Sequence, residues 1–349
     1  MIITNPAIPL DSIVVVIGAN GYAGAETCQK LLEAGFRVRG TVRDVERHRG
    51  WMHALFDKKW PGKFELVRVT DFAADGAFDE AFQGATGVIY VSTPTVFDPD
   101  SDGAIGPIVK GTIKTLEAAA RAGVKRYVLS SSSKAVESAA YNHPHELTEK
   151  TFNHEAIAIA RDNPPADPVE RAVVKYSAGR TEAELAFWDW VKANDTPLVA
   201  NCVVPDGLFG RILDTGRLKT GFSTSIAMLQ TVLRGSSEGV MNLAYFIDVQ
   251  DAANLLVAAV ALPSLTSERI FAYRYNAPWN DLRHRIRELY PDRPDLVTGE
   301  DIDVAGRDLS TAEGPIRRAE EILKEVGLPG YTSLDDMLRG FVDSVYPSQ

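Results

Sequence analysis

Cysteine is scarce in this chain of 349 residues, which contains only Cys28 and Cys202. Two cysteines are too few for a disulfide framework or a cysteine-based zinc site. Both stand in apolar patterns, so we expect small core side chains in a reduced, cytoplasmic protein. Histidine is also sparse, and the six histidines show no spacing typical of metal ligands. We therefore predict no metal site.

Long apolar runs and excess positive charge are lacking as well. The longest apolar run, Leu255–Leu262, is far shorter than the roughly 20 residues that cross a bilayer, and we expect no signal peptide at the N-terminus. The formal net charge of −10 opposes binding to nucleic acid or to an anionic membrane, because both require a cationic surface. What is present is a globular composition, with 45% hydrophobic and 24% charged residues.

Strands and helices alternate from the N-terminus to Pro205. Ile13–Ile17 is a continuous β-branched run, typical of a strand buried on both faces of a parallel sheet. A helix from Tyr22 to Ala34 and a second strand, Arg37–Val42, complete a β-α-β unit. Further strands are predicted at Phe64–Val69, Val88–Val91, Arg126–Ser130 and Leu198–Val204, and further helices over 105–120 and Pro168–Ala193. This alternation predicts an α/β fold with a Rossmann-type, doubly wound parallel sheet.

After Pro205 the pattern changes to shorter helices and turns, such as Pro315–Val326 and Ser333–Val345. Between these segments, Tyr245–Val260 and Ile270–Tyr273 are predicted to return to the main sheet. The expected domains are a nucleotide-binding domain of residues 1–205 and 245–274, and a smaller C-terminal substrate-binding lobe of residues 206–244 and 275–349.

A glycine-rich turn follows the first predicted strand. Gly18–Gly24 reads G-x-x-G-x-x-G between a strand and a helix. Gly18 permits a tight turn, Gly21 lets the backbone approach a pyrophosphate, and Gly24 lets helix and strand pack closely. The helix N-terminus at Tyr22 adds N–H groups and a positive dipole. In this context the motif predicts dinucleotide binding.

The end of the second strand selects the cofactor. An acidic residue there would hold the ribose hydroxyls of NAD, whereas Arg39 and Arg43 favour the 2′-phosphate of NADP(H). Asp44 is the competing candidate, but it stands beyond the strand among arginines. The alternative for these arginines is a solvated basic surface. Asp71 is a candidate for contact with the adenine amino group or, alternatively, for a helix N-cap.

Two further segments indicate chemistry. The run Ser130–Ser133 closes a predicted strand at the carboxyl edge, where this fold binds ligands. In the long helix, Tyr176 and Arg180 share a face because they are four residues apart. A fixed cation stabilises a neighbouring phenolate, so Tyr176 can donate a proton to a carbonyl oxygen that a serine holds. Taken alone, the serine run is explained as an ordinary strand end, and Tyr176 and Arg180 as an ordinary helix surface. Taken together, these residues predict a site that reduces a carbonyl group.

At these residues the sequence resembles the extended short-chain dehydrogenase/reductases, and within them the fungal NADPH-dependent aldehyde and carbonyl reductases related to dihydroflavonol reductases. The resemblance spans nearly the whole chain, in Val16–Gly21, Val38–Thr41, Lys125–Leu129, Thr181–Ala186, Glu321–Lys324 and Leu328–Gly330. It implies NADP(H) as the cofactor and an aldehyde or ketone as the small-molecule substrate. It also implies that Ser132 and Tyr176 are the catalytic serine and tyrosine. Further cofactor contacts implied by the resemblance are Tyr22, Asp71, Phe72, Val91, Ser92, Tyr176 and Pro205.

The sequence departs from the family pattern at three positions. Ile17 stands where a threonine is usual, and Tyr90 where a histidine is common. The largest departure is Arg180, where the family has the lysine of Y-x-x-x-K. Arginine supplies a permanent charge but does not readily release a proton, so a proton relay through this residue would be impaired.

The substrate is less well specified. Phe97, Phe209 and Tyr245 are expected to border the nicotinamide pocket and suggest an apolar or aromatic carbonyl compound, with packing in the core or the lobe as the alternative. The leading hypothesis is an NADPH-dependent carbonyl reductase that is a monomer or a homodimer. The alternatives are an isomerase, cyclase or dehydratase that uses bound NADP(H) without net redox, and a non-enzymatic NADP-binding regulator.

Overall fold

The computed structural model describes residues 1–72, 74–92, 105–138, 141–216, 224–241, 245–303 and 306–347. The strands in these ranges are β1 Ile13–Ile17, β2 Arg37–Val42, β3 Phe64–Arg68, β4 Ala85–Tyr90, β5 Arg126–Ser130, β6 His145–Glu146, β7 Val199–Pro205, β8 Gly207–Phe209, β9 Phe246–Asp248, β10 Arg269–Ala272 and β11 Ser310–Thr311. The helices are α1 Tyr22–Glu33, α2 Val45–Phe56, α3 Asp79–Phe82, α4 Ile105–Arg121, α5 His154–Asp162, α6 Pro168–Ala193, α7 Thr224–Leu233, α8 Val249–Ala261, α9 Trp279–Leu289, α10 Glu313–Glu325 and α11 Leu334–Val345.

The main sheet of the described residues has seven parallel strands in the order β3-β2-β1-β4-β5-β7-β10. The direction in which the strand order grows reverses between β1 and β4, and ligands of such sheets bind in the crevice at the carboxyl ends of the strands at this point. Two short parallel pairs, β6 with β11 and β8 with β9, lie outside the main sheet. The predicted Rossmann-type fold is confirmed.

Each face of the sheet carries its own apolar core, since side chains alternate along a strand. Val14 and Val16 of β1 join the core beneath α1 and α8, whereas Val15 and Ile17 join the core on the opposite face. β1 is therefore buried on both faces, which is why its sequence is uniformly apolar. None of the helices in the described ranges is long and apolar enough to cross a membrane.

The start of helix α6 is determined by Asp167 and Pro168. Oδ1 of Asp167 accepts the N–H groups of Val169 and Glu170, each at 2.9 Å, and Pro168 occupies the first helical position. The helix then packs against α4, α5 and the 3-10 turn Ser133–Ala135 that follows β5. This packing places the middle of α6 beside the carboxyl end of β5.

The return of the chain to the sheet is confirmed in part. Arg269–Ala272 pairs with β7 as an edge strand, close to the predicted Ile270–Tyr273. Within Tyr245–Val260, helix α8 packs against β5 and β7. The prediction is wrong for Phe246–Asp248, which pairs with β8 outside the main sheet.

A third cluster of buried apolar side chains lies among the C-terminal segments. Its members include Phe209, Ile226, Leu282, Met337 and Phe341, contributed mainly by β8, α7, α9 and α11. These residues fall in the ranges predicted for the smaller lobe, but Phe246 of the predicted nucleotide-binding domain also belongs to the cluster. The division into two domains stays a prediction.

Asp248 gives the fold a testable pH dependence. It caps α8 by accepting the N–H of Gln250 at 2.7 Å and is only 2% exposed. Burial, aided by the negative charges of Asp251 and Glu26, raises the pKa of Asp248 from 3.8 to about 7. The native state therefore retains a proton that the unfolded chain has released, so stability falls as pH rises between these two values.

We expect Asp248→Asn, which keeps the capping oxygen, to raise the free energy of unfolding by about 2–4 kcal/mol at about pH 8 and to leave it nearly unchanged at about pH 4. Urea unfolding at both pH values measures this. The matched control is Asp44→Asn, because Asp44 caps α2 in the same way but is exposed. Equal effects of Asp248→Asn at the two pH values would show that ionisation is not the cause.

Candidate active site

The glycine turn after β1 has the shape that a dinucleotide requires. Gly18 has φ of +86°, and a Cβ there would lie 2.5 Å from Cβ of Ser92. A Cβ on Gly24 would lie 2.1 Å from the carbonyl oxygen of Gly18, so only glycine fits. A Cβ on Gly21 would meet nothing closer than 3.3 Å, and Gly21, as the N-cap residue, has no side chain to cap the first N–H groups of α1. The tight turn and the helix N-terminus fit the pyrophosphate of NAD(P)H.

Arg39 is not where the prediction placed it. It lies inside β2, opposite Val15 and Glu65 of the neighbouring strands. Its Nε donates to Glu65 at 2.7 Å, and its Nη1 donates to the carbonyl oxygens of Ala81 and Gln83 at 2.9 and 2.8 Å. The assignment of Arg39 to the 2′-phosphate is wrong, because its guanidinium links β2 to β3 and to the end of α3.

Arg43 and Arg47 lie at the carboxyl edge instead. Arg43 directly follows β2, Arg47 lies in the first turn of α2, and both are exposed. Neither makes an ion pair or a side-chain hydrogen bond with the described residues. Asp44, the acidic alternative, accepts the N–H of Arg47 at 3.1 Å and caps α2. Arg47 is one of the arginines that surround Asp44 in the sequence, and its spacing of four residues from Arg43 was a usable signal.

Residues at the ends of β1, β3 and β4 flank the turn. The N–H groups of Val91 and Ser92 both donate to the carbonyl oxygen of Ile17, at 3.1 and 3.0 Å. Phe72 is half-buried, with its ring centroid 6.0 Å from that of Tyr90, and Asp71 is exposed. The structure therefore brings Val91 and Ser92 against the end of β1.

The catalytic candidates come from β5 and α6. Arg180 is 3% exposed, and its Nη2 donates to the carbonyl oxygen of Ser130 at 2.6 Å. Tyr176 lies one helical turn earlier on the same face of α6 and is half-buried. Ser132 caps the 3-10 turn by accepting the N–H of Lys134 at 3.3 Å. Helix α6 is thus fixed to the strand end that carries the serine run.

The serines on either side of Ser132 are held by carboxylates. Ser131 donates to Oε2 of Glu184 at 2.5 Å, and Ser133 donates to Oδ1 of Asp206 at 2.7 Å. Burial raises the pKa of Asp206, although the nearby charge of Lys134 acts to lower it. Among the described residues Ser132 donates no side-chain hydrogen bond. Of the three serines that follow β5, Ser132 is therefore the one whose O–H hydrogen is not donated to another described residue.

Glu184 is a residue that the sequence analysis missed. It is 0% exposed and lies four residues after Arg180 on α6. Nε of Arg269 lies 2.5 Å from its Oε1, and the Arg269 side chain is itself 5% exposed. The signal was a carboxylate on the Tyr176–Arg180 face of the helix. Charged residues on helices are usually solvated, so sequence alone gave no reason to choose it.

The substrate-contact candidates are corrected in two cases. Phe209 is fully buried in the third cluster, 5.6 Å from Phe246 between ring centroids. Tyr245 is 4% exposed, and its hydroxyl donates to the carbonyl oxygen of Ser310 at 2.9 Å. Both side chains serve packing, so neither faces a substrate. Phe97 lies outside the described residues.

Two cofactor candidates lie in distinct settings. Tyr22 is the first residue of α1, and its ring packs against the third cluster. Burial raises the pKa of its hydroxyl well above the usual value. Pro205 ends β7 opposite Ala272, and Asp206 follows it directly. Pro205 is therefore at the carboxyl edge, close in sequence to the carboxylate that holds Ser133.

The chain matches known proteins along nearly its full length. It is 31% identical to aldehyde reductase 2 of Sporidiobolus salmonicolor over 350 residues, covering 98% of each chain. The chain belongs to the extended short-chain dehydrogenase/reductases. A ketoreductase of Penicillium rubens is another relative of this family, 31% identical over 96% of this chain and 97% of its own. Residues 18–174 match the model of a protein family that is described as NAD(P)H-binding.

Two solved reductase structures share the fold of this chain. The structure of Gre2 of Candida albicans in complex with NADPH superposes with a TM-score of 0.79 at 22% identity, covering 97% of this chain and 98% of that one. Vestitone reductase of alfalfa superposes with a TM-score of 0.69 at 17% identity, covering 95% and 97%. At these identities the likeness concerns the fold.

Proposed function

We propose that this protein is an NADPH-dependent reductase of an aldehyde or a ketone. The observation that carries the proposal is the arrangement at the end of β5, where both neighbours of Ser132 donate to carboxylates. On α6 the same strand end is held by Arg180, one turn from Tyr176. The relatives named as an aldehyde reductase and a ketoreductase support this reaction class.

NADPH, when bound, supplies the hydride that reduces the carbonyl carbon. The glycine turn and the N-terminus of α1 hold its pyrophosphate, and Arg43 and Arg47 hold its 2′-phosphate through charge-assisted hydrogen bonds. The other residues proposed to contact the cofactor are Tyr22, Asp71, Phe72, Val91, Ser92, Tyr176 and Pro205.

Ser132 and Tyr176 act on the carbonyl oxygen. The Ser132 hydroxyl donates a hydrogen bond to this oxygen, which becomes more basic as the carbonyl is reduced. The Tyr176 hydroxyl transfers its proton to the same oxygen and is left as a phenolate. Arg180 stabilises that phenolate by its positive charge.

Arg180 changes how Tyr176 regains its proton. Its Nη2 is bound to the carbonyl oxygen of Ser130, and a guanidinium does not release a proton near neutral pH. The arginine therefore serves as a fixed cation and as an anchor of β5. Tyr176 is half-buried and recovers its proton from solvent.

The substrate and setting are proposed in coarser terms. Residues 206–244 and 275–349 form the substrate-binding lobe, supported by the third apolar cluster that these ranges share. Phe209 and Tyr245 lie in the core. The proposal that the substrate is an apolar or aromatic carbonyl compound therefore depends on Phe97. The buried free thiols Cys28 and Cys202 suit a reducing, cytoplasmic setting. Light scattering distinguishes the proposed monomer from the homodimer.

The function is tested by following NADPH consumption and alcohol formation with a panel of aromatic aldehydes, aliphatic aldehydes and ketones. We expect one alcohol formed per NADPH consumed. Product formed with no change in nicotinamide redox state would favour an isomerase, cyclase or dehydratase. Tight NADPH binding with no conversion of any carbonyl compound would favour the binding regulator.

We expect the double substitution of Arg43 and Arg47 with alanine to weaken NADPH binding by about 100-fold, because each arginine contributes a charge-assisted hydrogen bond to the 2′-phosphate. NADH lacks this phosphate, so its affinity should change by less than about twofold. Fluorescence titration with both nucleotides measures the effect. Arg39→Ala is the contrasting variant, and it should not alter the ratio of the two affinities. Equal losses for NADPH and NADH would contradict the phosphate assignment.

A further inference from the structure

Helix α2 is connected to the glycine turn through a series of three side chains, two on the helix and one in the turn. The side-chain amide of Asn20, inside the turn, lies 3.2 Å from Nε2 of His48. Nε1 of Trp51 lies 3.2 Å from Nδ1 of the same imidazole. His48 and Trp51 belong to α2, and His48 is only 6% exposed. A buried histidine thus contacts both its own helix and the turn.

The chemistry of these groups fixes the direction of each hydrogen bond. An indole N–H can only donate, so Nδ1 of His48 must accept from Trp51 and carries no hydrogen. The imidazole hydrogen is then on Nε2, which donates to Asn20. Nδ2 of Asn20 lies at this position, so the hydrogen bond requires the Asn20 amide to be turned over to present its oxygen, the only acceptor of that side chain. The chain runs from Trp51 through neutral His48 to Asn20.

This chain ties together two parts of the proposed cofactor site. Asn20 lies between Gly18 and Gly21, in the turn that fits a pyrophosphate. Helix α2 carries Arg47 and begins directly after Arg43 and Asp44. The hydrogen bond between His48 and Asn20 therefore fixes the position of the glycine turn relative to Arg43 and Arg47 before a ligand binds. A site ordered in advance loses less conformational entropy on binding.

We propose that His48 is a positioning residue for the dinucleotide, acting through Asn20 to hold the glycine turn in its binding conformation. The inference rests on the proposed function in taking this turn as the cofactor site. It differs from the role of Arg43 and Arg47, since the pyrophosphate is common to NADPH and NADH whereas the 2′-phosphate is not.

The test is a fluorescence titration of the full-length protein with NADPH and with NADH, without substrate. We expect His48→Ala to raise both Kd values by the same factor, about fivefold for one lost hydrogen bond. Asn20→Ala should raise both values by a similar factor. In the Asn20→Ala background, His48→Ala should then have almost no further effect, because the two residues act as one unit.

Two variants separate positioning from general damage. His48→Gln keeps an N–H donor for Asn20 and should restore both Kd values to within about twofold of wild type. His53→Ala, on the same helix, removes an imidazole whose Nδ1 lies 2.8 Å from Asp57 and should change neither Kd. Thermal unfolding of every variant shows whether folding is retained, and Asn20→Ala serves as the alternative probe if His48→Ala unfolds.

The inference is overturned if neither His48→Ala nor Asn20→Ala changes the Kd values while wild type binds both nucleotides. It is also overturned if NADPH alone is weakened, or if the two substitutions add independently. Absence of NADPH and NADH binding by wild type would contradict the proposed function itself and is recognised before any variant is made.

Discussion

Tyr176→Phe should lower kcat by about 1,000-fold, because it removes the group that protonates the carbonyl oxygen and leaves the ring in place. The Kd of NADPH should rise by no more than about fivefold, since the phenol hydroxyl contributes at most one hydrogen bond to the bound nucleotide. Steady-state turnover of the best aldehyde and a nucleotide titration measure the two quantities separately.

The control is Tyr290→Phe, which also removes one hydroxyl. Tyr290 is the C-cap residue of α9, and its hydroxyl donates to Oδ1 of Asp343 at 3.3 Å in an exposed position. This variant should retain wild-type turnover. If Tyr176→Phe reduced kcat by less than about tenfold, Tyr176 would not be the proton donor.

Glu184→Gln should lower the free energy of unfolding by about 3–5 kcal/mol, because it leaves the buried Arg269 guanidinium without its counter-charge. Glu184 is 0% exposed and accepts from Ser131, Arg269 and, at 3.3 Å, from Nε1 of Trp188. The guanidinium carbon of Arg269 lies 4.0 Å from the ring centroid of Phe152. Urea unfolding of the purified variant measures the loss.

The matched control is Asp335→Asn. It removes one carboxylate from an ion pair with Arg285 whose two side chains are 36% and 39% exposed. Such pairs contribute at most about 1 kcal/mol. A smaller loss for Glu184→Gln than for Asp335→Asn would mean that the Glu184–Arg269 pair does not stabilise the fold.

The parts of the fold that local pattern determines could be predicted from the sequence. The observed bounds of β1, β2, β5 and α6 coincide with the predicted ones. β1 is a continuous apolar run, β5 has Tyr127, Val128 and Leu129 in succession, and α6 begins with an Asp-Pro pair that caps it. The short pairs β6–β11 and β8–β9 join segments remote in sequence, so their few residues carry no local signal.

The predictions for the site were wrong where contacts with residues far away in the sequence determine the position of a side chain. Nothing near Arg39 in the sequence shows that Glu65 stands opposite it on β3. Arg43, beyond the end of the strand, forms no ion pair within the part of the chain that the structure describes, and it is exposed. Phe209 and Tyr245 were placed at the pocket by sequence position, but their partners Phe246, Trp279 and Tyr273 turn them into the core.

The roles of single serines also depended on distant residues. Four adjacent serines look equivalent in the sequence, and Ser132 was selected by resemblance to the family. Glu184 and Asp206 lie far along the chain and take the hydroxyls of Ser131 and Ser133. Ser132 remains a prediction, now with a physical reason for choosing it over its neighbours.

Transfer of label from the cofactor is the most direct measurement of the proposed reaction. The wild-type protein is mixed with a carbonyl compound and NADPH that carries deuterium at the transferable nicotinamide position, and the product is examined by mass spectrometry and NMR. We expect one deuterium on the carbinol carbon of the alcohol and an unlabelled hydroxyl. A product without deuterium, formed while the NADPH stays reduced, would contradict hydride transfer at this site.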